Sequence, residues 1–152
     1  MGLDMYLYKR TYIGADREYR NIVFDFSLKI NGKPIPIKKD RVSYITEEVC
    51  YWRKANAIHR WFVDNVQYGI DDCGEYNVST EQLQDLVNIC KKVKDDLSLA
   101  PELLPTQEGF FFGETDYGDS YKEDLEDTIN NLTKVLEEPD EVGSYYVYQL
   151  SW

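Results

Sequence analysis

Leu3, Met5 and Leu7 alternate with Asp4, Tyr6 and Tyr8 at the start of the chain, and Tyr146, Tyr148, Leu150 and Trp152 alternate with Val147 and Gln149 at its end. A two-residue period places every second side chain on one face, so each segment reads as a strand with a single side to bury. Ile22, Phe24, Phe26, Leu28 and Ile30 repeat the pattern between Asn21 and Ile30. Asn31-Gly32 then signals a tight hairpin turn. The prolines of Pro34-Ile35-Pro36-Ile37 restrict the next segment to an edge strand or an extended arm.

Such strands need a covering layer, and the middle of the chain carries three helical patterns. The first is predicted from about Thr46 to Val66, with Thr46 as N-cap and Glu47 and Glu48 at the positive end of the dipole. The second starts at Ser79, where Ser79 and Gln82 form a capping box. The third starts near Ser120 with Glu123 in the same relation, and carries Leu125, Ile129, Leu132 and Leu136 on one stripe. With 152 residues the chain fits one domain over 1–152. The predicted fold class is α+β, a mainly antiparallel sheet packed with three helices.

Charge narrows the partners. The net charge is −11, but residues 1 to 60 hold 12 Lys/Arg against 7 Asp/Glu, whereas the remainder holds 5 against 21. An acidic body disfavours duplex nucleic acid, yet the basic first part can form a local pocket for a small anion. No apolar run approaches the roughly 20 residues of a membrane span. The N-terminus lacks an export pattern, and Tyr6 stands where myristoylation needs Ser or Thr. Cys50, Cys73 and Cys90 are odd in number and widely spaced, which signals neither a disulfide framework nor a zinc site. These features predict a cytoplasmic protein with no cofactor, no metal and no membrane partner.

On the first predicted helix, Tyr51, Ala55, Ile58, Phe62 and Val66 form a core stripe. The opposite side carries Trp52, Arg53, Asn56, His59 and Arg60. Arginine offers planar donors to phosphate or carboxylate, Trp a stacking surface, and Asn and His directional hydrogen bonds. The set suits a flat anionic ligand. The competing structural reading has these residues meet the sheet and pair with acidic loops. His59 is the sole histidine, and catalysis through it needs a partner such as Asp71, Asp72 or Glu75, although no nucleophile signature accompanies it.

Two loops add candidates. Asp71, Asp72 and Glu75 miss the spacing of a calcium loop, so capping and pairing with arginines is the expected use, and the acidic neighbours of Cys73 disfavour a reactive thiol. In Gly109-Phe110-Phe111-Phe112-Gly113, a strand-like path turns Phe111 away from Phe110 and Phe112, so either the segment is sandwiched or a ring is offered outward to a ligand or partner. Tyr117 follows in the turn before the third helix. The 13 tyrosines mark interfaces as well as strands, and the C-terminal Tyr145, Tyr146, Tyr148 and Trp152 strand would be an adhesive edge, so a homo-oligomer is expected.

The stretches MGLDMYLYKR (Met1 to Arg10), EEVCYWRKANAIHRWFVDNVQ (Glu47 to Gln67), DDCGEY (Asp71 to Tyr76) and LLPTQEGFFFG (Leu103 to Gly113) together resemble a family of small uncharacterised proteins carried by bacteriophages and prophages. The resemblance spans nearly the whole chain, and YWRKANAIHRWF is its most specific element. It implies an accessory factor acting inside a bacterial host cell, where such proteins counter host defence by sequestering a nucleotide messenger or blocking a defence protein.

Three functions follow as expectations. The first is a binding protein that sequesters a small anionic, nucleotide-like ligand with Trp52, Arg53, Asn56, His59, Arg60, Phe110, Phe111, Phe112 and Tyr117. The second is an acidic protein-protein inhibitor that mimics nucleic-acid charge toward a host enzyme. The third is a small nucleotide-processing enzyme using His59.

Overall fold

In the computed structural model, which describes residues 2–14 and 25–152, the alternation at the chain start becomes β1 (Asp4–Tyr12). Met5 and Leu7 are fully buried, while Tyr6 and Tyr8 take the other face. After the short strands β2 (Lys29–Ile30) and β3 (Lys33–Pro34) come β4 (Tyr44–Arg53), α1 (Asn56–Asn65), β5 (Tyr76–Val78), α2 (Thr80–Asp95), α3 (Ala100–Leu103), α4 (Asp119–Glu137) and β6 (Ser144–Ser151). The main sheet has the order β4-β1-β6-β5 and is antiparallel throughout. The fold is α+β, with four α-helices among the described residues rather than three; the addition is the four-residue α3, which carries Pro101 in its first turn.

Met5 sits opposite Trp52 and Leu150, and Leu7 opposite Cys50 and Tyr148, so one sheet face lines the core. Phe62 of α1 stacks on Tyr148 at 3.9 Å, and Leu83, Leu86, Leu125 and Leu132 of α2 and α4 close the layer. Each fully buried Leu or Phe contributes about 1.5–3 kcal/mol, which makes this one-sided burial the dominant stabilising term.

The predicted first helix is corrected. Residues 44–53 form a strand, and only the part from Asn56 is helical. Tyr44, Ile45, Thr46, Val49, Tyr51 and Trp52 are strand formers, and pairing with β1 outweighs the acidic start that suggested a helix. Lys54 then takes a left-handed conformation at φ 57, which ends the strand before α1. Ala55, Ile58, Phe62 and Val66 are buried as the stripe requires, but Tyr51 lies on the outer sheet face.

The other elements follow the patterns more closely. Ser79 and Gln82 form the reciprocal capping box of α2. Asn31 and Gly32, at φ 51 and 76, form the hairpin turn that a two-residue loop requires. The segment predicted from Asn21 reaches the described residues only from Asp25, and just Lys29–Ile30 is strand. Ser120 caps nothing: α4 starts one residue earlier behind Gly118, whose N–H donates to Asp116 Oδ1. The strand β6 lies between β1 and β5, and β5 covers its outer edge only over Tyr146–Tyr148.

Candidate functional site

The strand-to-helix hinge brings two of the nine predicted site residues, Arg53 and Asn56, beside a cleft of about 380 Å³. Arg53 and Lys54 form one wall, Asn56 and Ala57 open α1, Thr106, Gly113, Glu114 and Asp116 come from the loop before α4, and Ser120, Tyr121, Glu123 and Asp124 belong to α4. The hinge is fixed by main-chain bonds: Lys54 N donates to Leu3 O at 2.8 Å, and Leu3 N to Phe111 O at 3.3 Å. Gly113, at φ 86, lies so close that an added Cβ would meet Lys54 Cβ at 3.2 Å.

Asn56 is the organiser. Its Nδ2 donates to Phe112 O at 2.9 Å and Glu114 O at 2.8 Å, and its Oδ1 accepts from Gln107 N at 3.0 Å. A single buried side chain therefore ties down the loop that forms the far wall.

Trp52 and His59 are elsewhere. Trp52 lies on β4 and is buried; its Nε1 donates to Thr128 Oγ1 at 2.9 Å, and its ring packs edge-on against Phe62. His59 is 0% exposed, between Tyr148 O–H at 3.0 Å on Nδ1 and Asp71 Oδ1 at 3.0 Å on Nε2. Burial lowers its pKa more than Asp71 raises it, so the ring is neutral. A neutral ring beside a carboxylate donates from Nε2 and accepts from Tyr148 at Nδ1. Both nitrogens are occupied, and Gln107 Nε2 completes the chain by donating to Asp71 Oδ2 at 3.1 Å.

Arg60 donates to Thr106 O at 3.2 Å and lies 3.7 Å from Asp64. The three phenylalanines do not alternate as a strand, because Phe112 N bonds Gly109 O in a turn. Phe110 is 94% exposed, Phe111 is half-buried, and Phe112 is buried against His59. Tyr117 packs on Tyr121 at 5.0 Å. The acidic loop is spent on separate partners: Glu75 grips Arg10 with two 2.7 Å bonds, while Asp72 accepts from Gly74 N and Tyr76 O–H. Among the described residues, no three His, Cys, Asp or Glu side chains are placed to share a cation, and burial pushes the Cys50 and Cys90 thiols up to about 12. No helix among them is long and apolar enough to cross a membrane.

Sequence reasoning missed Asp124 as a site residue. It lines the cleft, and its carboxyl accepts no hydrogen bond from a described residue, although its main-chain oxygen takes one from Thr128 Oγ1; burial, with Asp127 and Glu123 nearby, pushes the carboxyl up to about 7. A signal was present, since Asp124 lies three residues after Tyr121 and four before Thr128, on the buried stripe of α4. Between the unfolded value of 3.8 and about 7 the folded state holds a proton the unfolded chain releases, so this group's contribution to stability falls as pH rises through that window. Asp124→Asn should therefore raise stability at pH 8 by about 2 kcal/mol and add almost nothing near pH 4, as read by urea denaturation. His59 acts with the opposite sign: its folded pKa lies below 6.5, so its contribution is full above that value and is lost as pH falls. The Asn variant should leave that loss unopposed.

The outer sheet face is a second unusual surface. Tyr6, Tyr8, Tyr44, Tyr51 and Tyr145 lie on it, outside the core cluster, with Tyr6 and Tyr8 stacked at 5.7 Å and Tyr6 against Tyr51 at 5.3 Å. The excess of tyrosine is concentrated where no helix among the described residues packs. No protein-family model, curated protein or solved structure significantly matches the chain.

Proposed function

We propose that this is a non-enzymatic binding protein whose cleft holds a small ligand carrying an anionic group and a hydrogen-bond-donating nitrogen, the two features a nucleotide presents. One observation carries the reading: two exposed cations, Arg53 and Lys54, line the same cleft as Asp124, a carboxyl without a described partner. Arg53 is only loosely engaged, with Nε 4.0 Å from Asp4, so its planar donors remain available to a phosphate or carboxylate. The opposing carboxylate accepts an N–H from the other end of the ligand. Glu114, Asp116 and Glu123 in the lining repel a polyanion, which favours a compact ligand over a nucleic-acid strand.

This revises the ligand chemistry expected from the sequence. Trp52 and His59 supply neither stacking nor proton transfer in the cleft, so recognition there is polar. Taken with the resemblance to phage-borne proteins, the reading gives the protein the task of withdrawing a nucleotide-like signal from host defence. In the charge-mimic alternative, Glu75, Asp71 and Glu138 are engaged internally by Arg10, His59 and Lys9, so that reading rests on the other acidic residues.

Calorimetric titration with a panel of mononucleotides and cyclic dinucleotides tests the reading. A binder should lose at least about tenfold in affinity in Arg53→Ala and Lys54→Ala. It should bind about fivefold tighter at pH 8 than at pH 6, because ionised Asp124 accepts the stronger hydrogen bond. The ligand should return chemically unchanged. Recovery of an altered ligand would instead identify an enzyme, and binding indifferent to both cations would remove the cleft from the account.

A further inference from the structure

Residues 25–41 form an arm with no core. None of them is buried, and Leu28, Ile30 and Ile37 are 49%, 62% and 42% exposed. Among the described residues, their ion pair and main-chain bonds stay within 25–42: Lys39 pairs with Asp25 at 2.7 Å, Ile35 N donates to Leu28 O, and Val42 N to Lys39 O. The strands β2 and β3 pack substantially only on each other among the described elements. A two-stranded hairpin of this size is marginal alone in water, and no described element covers the exposed Leu, Ile and Pro on it, which fits a surface that another molecule covers.

The arm is also basic. Lys29, Lys33, Lys38, Lys39 and Arg41 against Asp25 and Asp40 give it +3, which leaves −14 on the rest of a chain of −11. We propose that the arm of one copy docks across the tyrosine-paved sheet face of a second copy, and reciprocally, so that the protein is a homodimer clasped by two arms. The chemistry on the two surfaces is complementary. Pro34-Ile35-Pro36 is suited to packing on aromatic rings, and lysines are suited to ring faces and to carboxylates. The receiving face offers Tyr6, Tyr8 and Tyr51 with the exposed Glu48, while its two cations are already paired, Arg10 with Glu75 and Arg53 with Asp4. Arm and face belong to one chain, so a single two-fold operation satisfies both at once and closes the assembly. This inference is independent of the cleft.

The test is sedimentation equilibrium of the full chain from about 1 to 200 µM. Wild type should be a dimer. Lys29→Glu with Lys33→Glu and Lys38→Glu in one variant, and Glu48→Lys in another, should each weaken dimerisation by at least about tenfold with unchanged circular dichroism. Mixing the two variants should restore a dimer, because each arm then meets a face of opposite sign. A wild-type monomer across the range, including one whose arm binds nucleic acid, overturns the proposal. So does a dimer insensitive to both variants, or a loss in each that mixing does not recover.

Discussion

His59→Ala is expected to cost about 4 kcal/mol of folding stability, read as a lower urea midpoint with an unchanged slope. The ring is fully buried, so its removal opens a cavity among Phe112, Trp152 and Tyr148. It also strands the Tyr148 hydroxyl, which loses its acceptor in a site dry enough to hold the phenol pKa well above its usual value. Asp71 loses its inner donor and keeps Gln107. The network joins β6, α1 and both long loops, so the loss should spread beyond the site of substitution. A cost under about 1 kcal/mol would show that these contacts do not pin the loops to the sheet.

Asn56→Ala should cost about 3 kcal/mol, because three main-chain groups lose their partner at once: the N–H of Gln107 and the carbonyls of Phe112 and Glu114. The cleft wall built from residues 106–116 should loosen, and amide hydrogen exchange at Gln107 should accelerate by about tenfold or more. Unchanged exchange there would mean that the loop is held by its other contacts, Arg60 to Thr106 O and Thr106 Oγ1 to Thr115 O.

The parts of the fold that were legible in the sequence are those where one local rule acts alone. Alternation specified β1 and β6, the Ser79/Gln82 pair specified the start of α2, and Asn31-Gly32 specified the hairpin. Residues 44–53 were misread because Glu47 and Glu48 imitate a helix start, whereas the competing β pairing is a long-range effect that no short window contains. That error put Trp52 and Arg53 on the same helical face as His59. In the strand Trp52 and Arg53 point to opposite sides of the sheet, so the aromatic ring entered the core, while Arg53 stayed exposed beside Asp4 and lines the cleft. Asp124 escaped notice because its place on the buried stripe of α4 was masked by its nearness to the acidic helix start. Cys50 and Cys90 are free thiols in the core.

A titration of isotope-labelled protein followed by amide nuclear magnetic resonance, using the tightest binder from the nucleotide panel, tests the cleft most directly. The account predicts saturable shifts at Arg53 to Ala57, at Thr106, and from Gly113 to Asp124, with the amides of Tyr6, Tyr8 and Tyr145 on the outer face unmoved. Shifts confined to that outer face, or none at any residue lining the cleft, would contradict it.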